Sequence, residues 1–286
     1  MIAHMLVDGK KIAEVWQEKL KNNVLAMNHK PSLAIVIVGN NPVVENFVRM
    51  KRKFGESIGA NIFEFRFASS ITSDELRSEV VTLSTRDDID GIIIQLPLPD
   101  TFNVEAILNA VPTTKDVDML AQDSIVHFAR GTAKIFPPVA SAVQEIFEHH
   151  DINVEGKEVL VLGYGRLVGK PVSILLRHNN AHVTVIDKPI LDLGTHTKES
   201  AIIICGVGIP KLITADMISA GTILIDAGTS EAGGRIVGDV DDSCRGVASL
   251  MTPVPGGVGP IAVAMLFKNL IILAHTHHEN AQEPIE

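Results

Sequence analysis

The stretch Lys157–Pro171, KEVLVLGYGRLVGKP, constrains the fold more than any other part of the chain. An apolar run, Val159–Leu162, leads into Gly163, Gly165 and Gly169, and Val172–Arg177 then reads as a helix. A strand that turns through glycines into a helix makes the phosphate cradle of dinucleotide folds. The glycines permit a tight turn and a close backbone approach, and the helix N-terminus offers free N–H groups and the positive end of its dipole. The spacing is G-x-G-x-x-x-G, one residue longer than the usual fingerprint, so the same residues also suit a strand–helix turn that holds nothing.

The chain around this stretch alternates in the same way. Helical spacing over Val7–Met27 is followed by an apolar run at Leu33–Val38, a helix at Val43–Ser57, a strand at Asn61–Phe67, a helix at Ser73–Leu83, a strand at Gly91–Ile94 and a short helix at Val104–Asn109. A long helix, Pro137–His150, leads into a second series of strands at Val159–Leu162, His182–Ile186, Ala201–Cys205, Thr222–Asp226 and Gly246–Leu250. Alternation of this kind implies parallel sheets covered by helices. The expected fold class is α/β, with two parallel-sheet domains, the second Rossmann-type, and a cleft between them. An apolar helix, Ile261–Ala274, closes the pattern, and His275–Glu286 reads as a polar tail that frays.

Composition excludes several functions. Net charge is −9 at pH 7, which disfavours a sequence-blind grip on nucleic acid or on an anionic membrane. The apolar runs are strand-length, so no membrane span is expected. Two cysteines cannot make a disulfide framework; Cys205, inside an apolar run, reads as buried, and a reducing compartment fits. The N-terminal MIAHMLVDGKK has no apolar core with a cleavage site, so a cytoplasmic protein is expected. The histidines, among them His149, His150, His275, His277 and His278, pair with no cysteines and no HExxH pattern, so no metal site is expected.

Three polar residues stand where strand ends meet a cleft. Lys51 lies in a helix after a strand, Gln95 follows another strand, and Asp118 follows the same sheet. A desolvated lysine held by an amide moves protons near neutrality. On the residues alone, Lys51 reads more simply as part of a solvated basic face with Arg49, Arg52 and Lys53, and Gln95 is balanced between the two readings. Asp187 ends the second strand of the second unit, where an acid binds a ribose 2′-hydroxyl and favours NAD; Lys188 beside it suits a 2′-phosphate, and a plain loop acid is an equal alternative. Asp226-Ala227-Gly228-Thr229, which closes another strand at the same sheet edge, suits the nicotinamide end of the cofactor or an ordinary turn.

Taken together, VGNNPVVENFVRMKRK (38–53), GIIIQLPLP (91–99), KDVD (115–118), VLGYGRLVGKPVSILL (161–176), GDVD (238–241) and TPVPGGVGP (252–260) resemble the methylenetetrahydrofolate dehydrogenase/methenyltetrahydrofolate cyclohydrolase family over nearly the whole chain. The resemblance implies a folate-binding domain at 1–136, rejoined by a terminal helix at 264–286, and a Rossmann-type dinucleotide domain at 137–263. It implies a homodimer, NADP or NAD as cofactor and a tetrahydrofolate derivative as substrate. The implied chemistry is oxidation of 5,10-methylenetetrahydrofolate, then hydrolysis of the methenyl product to 10-formyltetrahydrofolate.

By the same resemblance Lys51, Gln95 and Asp118 are the catalytic trio, which reverses the solvated reading of Lys51. Phe47, Pro97, Pro255, Gly256, Gly257 and Pro260 would meet the folate. Gly163, Tyr164, Gly165, Arg166, Gly169, Asp187, Lys188, Gly208 and Thr229 would meet the cofactor. The chain departs from the family pattern at Phe47, where a tyrosine is usual, at Gly165, where a serine is usual, and at Asp187-Lys188. Loss of one hydroxyl from a catalytic site costs on the order of a hundredfold in rate. Two alternatives therefore stand beside the bifunctional enzyme: a dehydrogenase alone, and a binding protein that turns nothing over.

Overall fold

The computed structural model describes residues 4–232 and 235–280. In chain order the elements are β1 (Met5–Leu6), α1 (Gly9–Ala26), β2 (Ser32–Val38), α2 (Pro42–Ile58), β3 (Asn61–Phe67), α3 (Ser73–Ser84), β4 (Gly91–Ile94), α4 (Val104–Leu108), α5 (Gln122–Ala129) and α6 (Pro138–His149). There follow β5 (Glu158–Leu162), α7 (Gly169–His178), β6 (His182–Ile186), α8 (Leu193–Glu199), β7 (Ile202–Cys205), β8 (Ile223–Asp226), β9 (Ser230–Ala232), β10 (Arg235–Val237), β11 (Leu250–Met251) and α9 (Val258–Asn280). They form two compact units: residues 14–138 with 263–286, and residues 1–13 with 139–262.

The first unit is built on a parallel sheet in the order β3-β2-β4. Every residue of β2 is buried, which is why Leu33–Val38 is an unbroken apolar run rather than an alternating one. The edge strand β3 mixes exposed and half-buried positions, and not wholly as its sequence suggests: Phe63 is exposed, whereas Glu64 is half-buried and pairs with Arg52 and Arg66. Leu76, Val80 and Leu83 bring α3 onto one face of the sheet, where they join Ala34, Val36, Ile92 and Ile94. The start of α3 is fixed by Thr72 and Glu75, each of which bonds the other's backbone N–H.

The second unit carries a six-stranded sheet in the order β1-β11-β8-β7-β5-β6, parallel throughout. Strand order runs outward from β5 in both directions, so the switch point where such sheets bind ligands lies between β5 and β7. The N-terminal strand finishes this sheet: Met5 and Leu6 pair with Leu250 and Met251. The first thirteen residues thus pack with residues 139–262, where the sequence reading grouped them with the first half of the chain.

Other expectations shift as well. The strand expected at Gly246–Leu250 is only Leu250–Met251, because Asp241 caps a short 3-10 turn at Asp242–Gly246 through its bond from the Ser243 N–H. The last helix begins at Val258 and runs through the expected frayed histidines to Asn280; residues 281–286 of the expected tail lie outside the described residues. By length and composition Val258–His278 also passes the test for a membrane span, contrary to the expectation of strand-length runs only, but most of that window is buried inside the protein, as in a core helix. Cys205 and Cys244 are both buried and unbridged, and burial pushes the Cys205 thiol well above its ordinary range.

Candidate active site

Lys51 parts company with the basic residues around it. Pro42 opens α2 at the position where a missing N–H costs nothing. Val44 and Val48 turn one face of the helix into the core. Arg49, Arg52 and Lys53 stay exposed, Arg49 bonding Asn46 and Arg52 pairing with Glu64 at 3.0 Å. Lys51 instead sends its amine to Gln95 Oε1 at 2.9 Å. Phe47, one turn earlier on the same face, is half-buried. The solvated reading of Lys51, preferred on the residues alone, is thereby overturned.

Gln95 directly follows β4 and is 6% exposed. Its backbone N–H continues the ladder to the Val36 carbonyl, and its side-chain amide donates to the Leu96 carbonyl at 2.8 Å. Pro97, next in line, is exposed. The segment Lys115–Asp118 is laid alongside β4 by a parallel bridge between Ile92 and Asp116 and by the bond from the Ile92 N–H to the Lys115 carbonyl. Gly91 makes this approach possible, since a Cβ there would meet Val117 Cγ1 at 2.6 Å. Asp118 is thereby delivered within electrostatic reach of Lys51.

Desolvation dominates both charges. It lowers the Lys51 pKa, with Asp118 pulling the other way; it raises the Asp118 pKa, with Lys51 opposing. Both residues are only half-buried by surface, yet their charged ends are densely surrounded by protein atoms. An amine in this state gives up its proton more easily than a solvated lysine, so more of it is neutral and able to accept a proton near neutrality.

Two supporting residues escaped the sequence reading. Asn269 of α9, 3% exposed, donates to the Val117 carbonyl at 2.9 Å and the Phe136 carbonyl at 2.7 Å, clamping the segment that carries Asp118. Asp116, 3% exposed, accepts from the N–H groups of Leu120 and Ala121, and burial raises its pKa to about 6. The signal for Asn269 was present in the sequence: one amide inside an otherwise apolar helix needs partners.

In the other unit the glycine turn has the shape a dinucleotide requires. Gly163 has φ +86°, and a Cβ on Gly169 would stand 1.9 Å from the Gly163 carbonyl oxygen, so α7 starts against the end of β5. No side chain caps the N-terminus of α7; in its first turn the Lys170 N–H bonds the Gly165 carbonyl at 3.1 Å and Pro171 has no N–H, which leaves the Gly169 N–H to meet an anion. Gly165 is different: a Cβ there would meet nothing within 4 Å. Tyr164, Arg166, Asp187, Lys188 and Thr229 are exposed around the carboxyl ends of the strands. Asp187 Oδ1 accepts the Tyr164 N–H at 2.6 Å, tying the end of β6 to the turn.

Beyond β7, Asp239 Oδ2 accepts the N–H groups of Val207 and Gly208, and Gly208 has φ +76°. Asp239 is held in turn by Asp226, whose Oδ1 accepts the Asp239 N–H at 3.2 Å. The sequence marks Asp226 as the head of a turn but gives no sign that Asp239 is its partner; glycines at 228 and 238 leave the pair room, each with a hypothetical Cβ inside 2.5 Å of a carboxylate oxygen. The loop before α9 contains Pro255, Gly256 at φ +109° and Gly257, whose N–H closes on the Pro253 carbonyl; Pro260 sits in the first turn of α9.

Family models match both parts of the chain: residues 7–118 match the catalytic domain of tetrahydrofolate dehydrogenase/cyclohydrolase, and residues 137–278 match its NAD(P)-binding domain. The chain belongs to the tetrahydrofolate dehydrogenase/cyclohydrolase family. A bifunctional FolD protein of Nautilia profundicola is 40% identical over 271 residues, covering 93% of this chain and 95% of its own. The structure of the bifunctional FolD dehydrogenase/cyclohydrolase of Campylobacter jejuni superposes with a TM-score of 0.91 at 32% identity, covering 95% of this chain and 99% of that one. The Trypanosoma brucei dehydrogenase-cyclohydrolase, solved with NADP and an inhibitor, gives a TM-score of 0.92 at 31% identity, covering 99% and 100%. In the tetrahydrofolate dehydrogenase/cyclohydrolase family, then, this chain keeps the full two-unit scaffold.

Proposed function

We propose that the protein oxidises 5,10-methylenetetrahydrofolate to 5,10-methenyltetrahydrofolate and hydrolyses that product to 10-formyltetrahydrofolate. The observation that carries the reading is the amine of Lys51, desolvated yet bonded to Gln95, with Asp118 acting on it. A nicotinamide dinucleotide, when bound, supplies the acceptor for the hydride that leaves the methylene carbon. The glycine turn at Gly163–Gly169 fits such a group, because Gly165 faces open space, Gly169 lets α7 start against the end of β5, and no side chain caps that helix end.

The chain's own groups act as follows. Asp118 and Phe47 orient the pterin in the unit that contains Lys51. In the hydrolytic step water adds to the methenyl carbon and its proton passes to the Lys51 amine; the Lys51 ammonium then returns that proton to the ring nitrogen as the carbon–nitrogen bond breaks, and the remaining hydroxyl proton is released to solvent as the formyl C=O forms. Gln95 Oε1 keeps the amine aimed while it changes protonation state. By resemblance Pro97, Pro255, Gly256, Gly257 and Pro260 add folate contacts. Tyr164, Gly165, Arg166, Gly208 and Thr229 add cofactor contacts, while Lys188 competes with Asp187 over a 2′-phosphate.

We infer that NAD serves at least as well as NADP, because the Asp187 carboxylate beside the turn repels a 2′-phosphate. A homodimer joined through the dinucleotide units, without nucleic-acid or membrane partners, and a cytoplasmic location complete the reading; net charge −9 and two buried free thiols support the last two points. Turnover of purified protein tests the whole. Reduction of either cofactor with methylenetetrahydrofolate, together with loss of methenyltetrahydrofolate absorbance above the buffer rate, is the expected result. Hydrolysis at the buffer rate would leave the dehydrogenase alone, and no turnover with tight folate binding would leave a binding protein.

A further inference from the structure

We propose that His29, Asp90 and His278 form a binding site for one divalent transition metal of the zinc class. The site lies at the end of the three-stranded sheet away from Lys51. Asp90 immediately precedes β4 and Gln95 immediately follows it, so the strand sets the two places apart by about 16 Å. His29 stands in the loop before β2, and His278 near the end of α9.

One donor atom from each of the three residues lies within 4.8 Å of the other two, and His278 Nε2 is already 3.2 Å from Asp90 Oδ1. In a tetrahedral zinc site with ordinary bond lengths, neighbouring donors stand about 3.4 Å apart. Loading therefore needs side-chain movements on the order of an ångström and no change of backbone. The carboxylate is fixed in advance. Asp90 is 2% exposed, and its Oδ2 accepts the Ser32 N–H at 2.8 Å, which turns Oδ1 toward the histidines.

The second independent observation is an unmet need. His29 Nε2 is buried and makes no hydrogen bond, although its ring lies 3.5 Å from that of His278 between centroids. A buried polar nitrogen without a partner is costly, and a coordinated cation supplies one. His277 adds support from outside the set: its Nδ1 is 3.3 Å from the same Asp90 oxygen, the kind of contact that orients a metal-bound carboxylate. Two imidazoles and one carboxylate suit zinc, cobalt or nickel better than magnesium or calcium. With the side chain of His278 38% exposed, a fourth position is open to solvent. A metal here would fasten the end of α9 to β4 and to the loop before β2.

The test uses the full chain, stripped with a chelator and titrated with Co(II), then with Zn(II) by calorimetry. One equivalent is expected to bind with a micromolar or tighter Kd, Co(II) giving the visible absorption of a tetrahedral nitrogen–oxygen site. His29→Gln and His278→Gln should each weaken binding at least tenfold, whereas His149→Gln should leave it unchanged, and turnover should not change in any of the three. Zinc should raise the melting temperature of the wild type, and chelator should reverse it. Absence of a saturable one-to-one site in the wild type, or binding that survives the paired His29→Gln/His278→Gln change, overturns the proposal and leaves a proton-sharing cluster that pins the helix.

Discussion

Gln95 is held at both ends: its Oε1 accepts from Lys51 Nζ at 2.9 Å, while its Nε2 donates to the Leu96 carbonyl at 2.8 Å. The second bond decides which end of the amide faces the lysine. A neutral oxygen steadies the amine without cancelling the effect of desolvation on it. Gln95→Glu would put a full negative charge at that oxygen and draw the Lys51 pKa back up. Hydrolysis of methenyltetrahydrofolate near neutrality should then fall by about tenfold or more, with the acid limb of its pH profile moved to higher pH. Lys51→Met should lose on the order of a hundredfold. A Gln95→Glu profile that coincides with the wild type would separate the amide from the chemistry.

Phe47 and Lys51 stand four residues apart on one face of α2, so a hydroxyl added at Phe47 would enter the same surroundings as the amine. Phe47→Tyr is expected to raise the hydrolytic rate by about tenfold or more while leaving thermal stability within a few degrees. The comparison of kcat for the two reactions in the same preparation checks it. A gain confined to KM would assign the hydroxyl to binding alone.

Asp187 decides the cofactor in this reading. Replacing it with serine removes the charge and keeps an acceptor for the Tyr164 N–H that it now bonds. The ratio of kcat/KM for NADP to that for NAD should rise by about tenfold or more. An unchanged ratio would show that Lys188 or Arg166 governs the choice.

The glycines of the turn differ in what they tolerate. Gly169→Ala forces a Cβ to within 1.9 Å of the Gly163 carbonyl oxygen and should cost about 3 kcal/mol or more, read as a fall in the urea midpoint. Gly165→Ser meets open space and should stay within about 0.5 kcal/mol.

Buried carboxylates set a distinct pH response. The Asp226 pKa is raised to about 6, chiefly by burial and against the N–H groups of Val240, Asp239 and Gly228. The folded state therefore holds a proton that the unfolded chain releases at its ordinary, lower pKa. Stability from this group is gained as pH falls through about 6 and is lost again as pH rises through that value. Denaturant titrations between pH 4 and pH 7 should show the wild type gaining on Asp226→Asn toward the acid side. Parallel curves would mean that Asp226 does not titrate there.

Much of the scaffold was legible because its signals are local. The runs at Asn61–Phe67, Gly91–Ile94 and His182–Ile186 are strands with the bounds that their apolar pattern suggests. The antiparallel pair Ser230–Ala232 and Arg235–Val237 and the two-residue strands Met5–Leu6 and Leu250–Met251 were not, since pairing rather than composition makes them strands. The inward turn of Lys51 was hidden for a similar reason. Four basic residues within five positions look alike in sequence, and only the helix phase and the distant Gln95 single one out. The tail histidines read as solvated because Asp90, nearly two hundred positions earlier, is what gathers them.

The pairing of Met5 and Leu6 with Leu250 and Met251 has a practical outcome for anyone dissecting this chain. A fragment that starts at Val139, cut at the obvious midpoint, would leave behind the strand that completes its own sheet and would offer a raw backbone edge to its neighbours. A short peptide of the first thirteen residues, added in trans, is the piece that should render such a fragment well behaved.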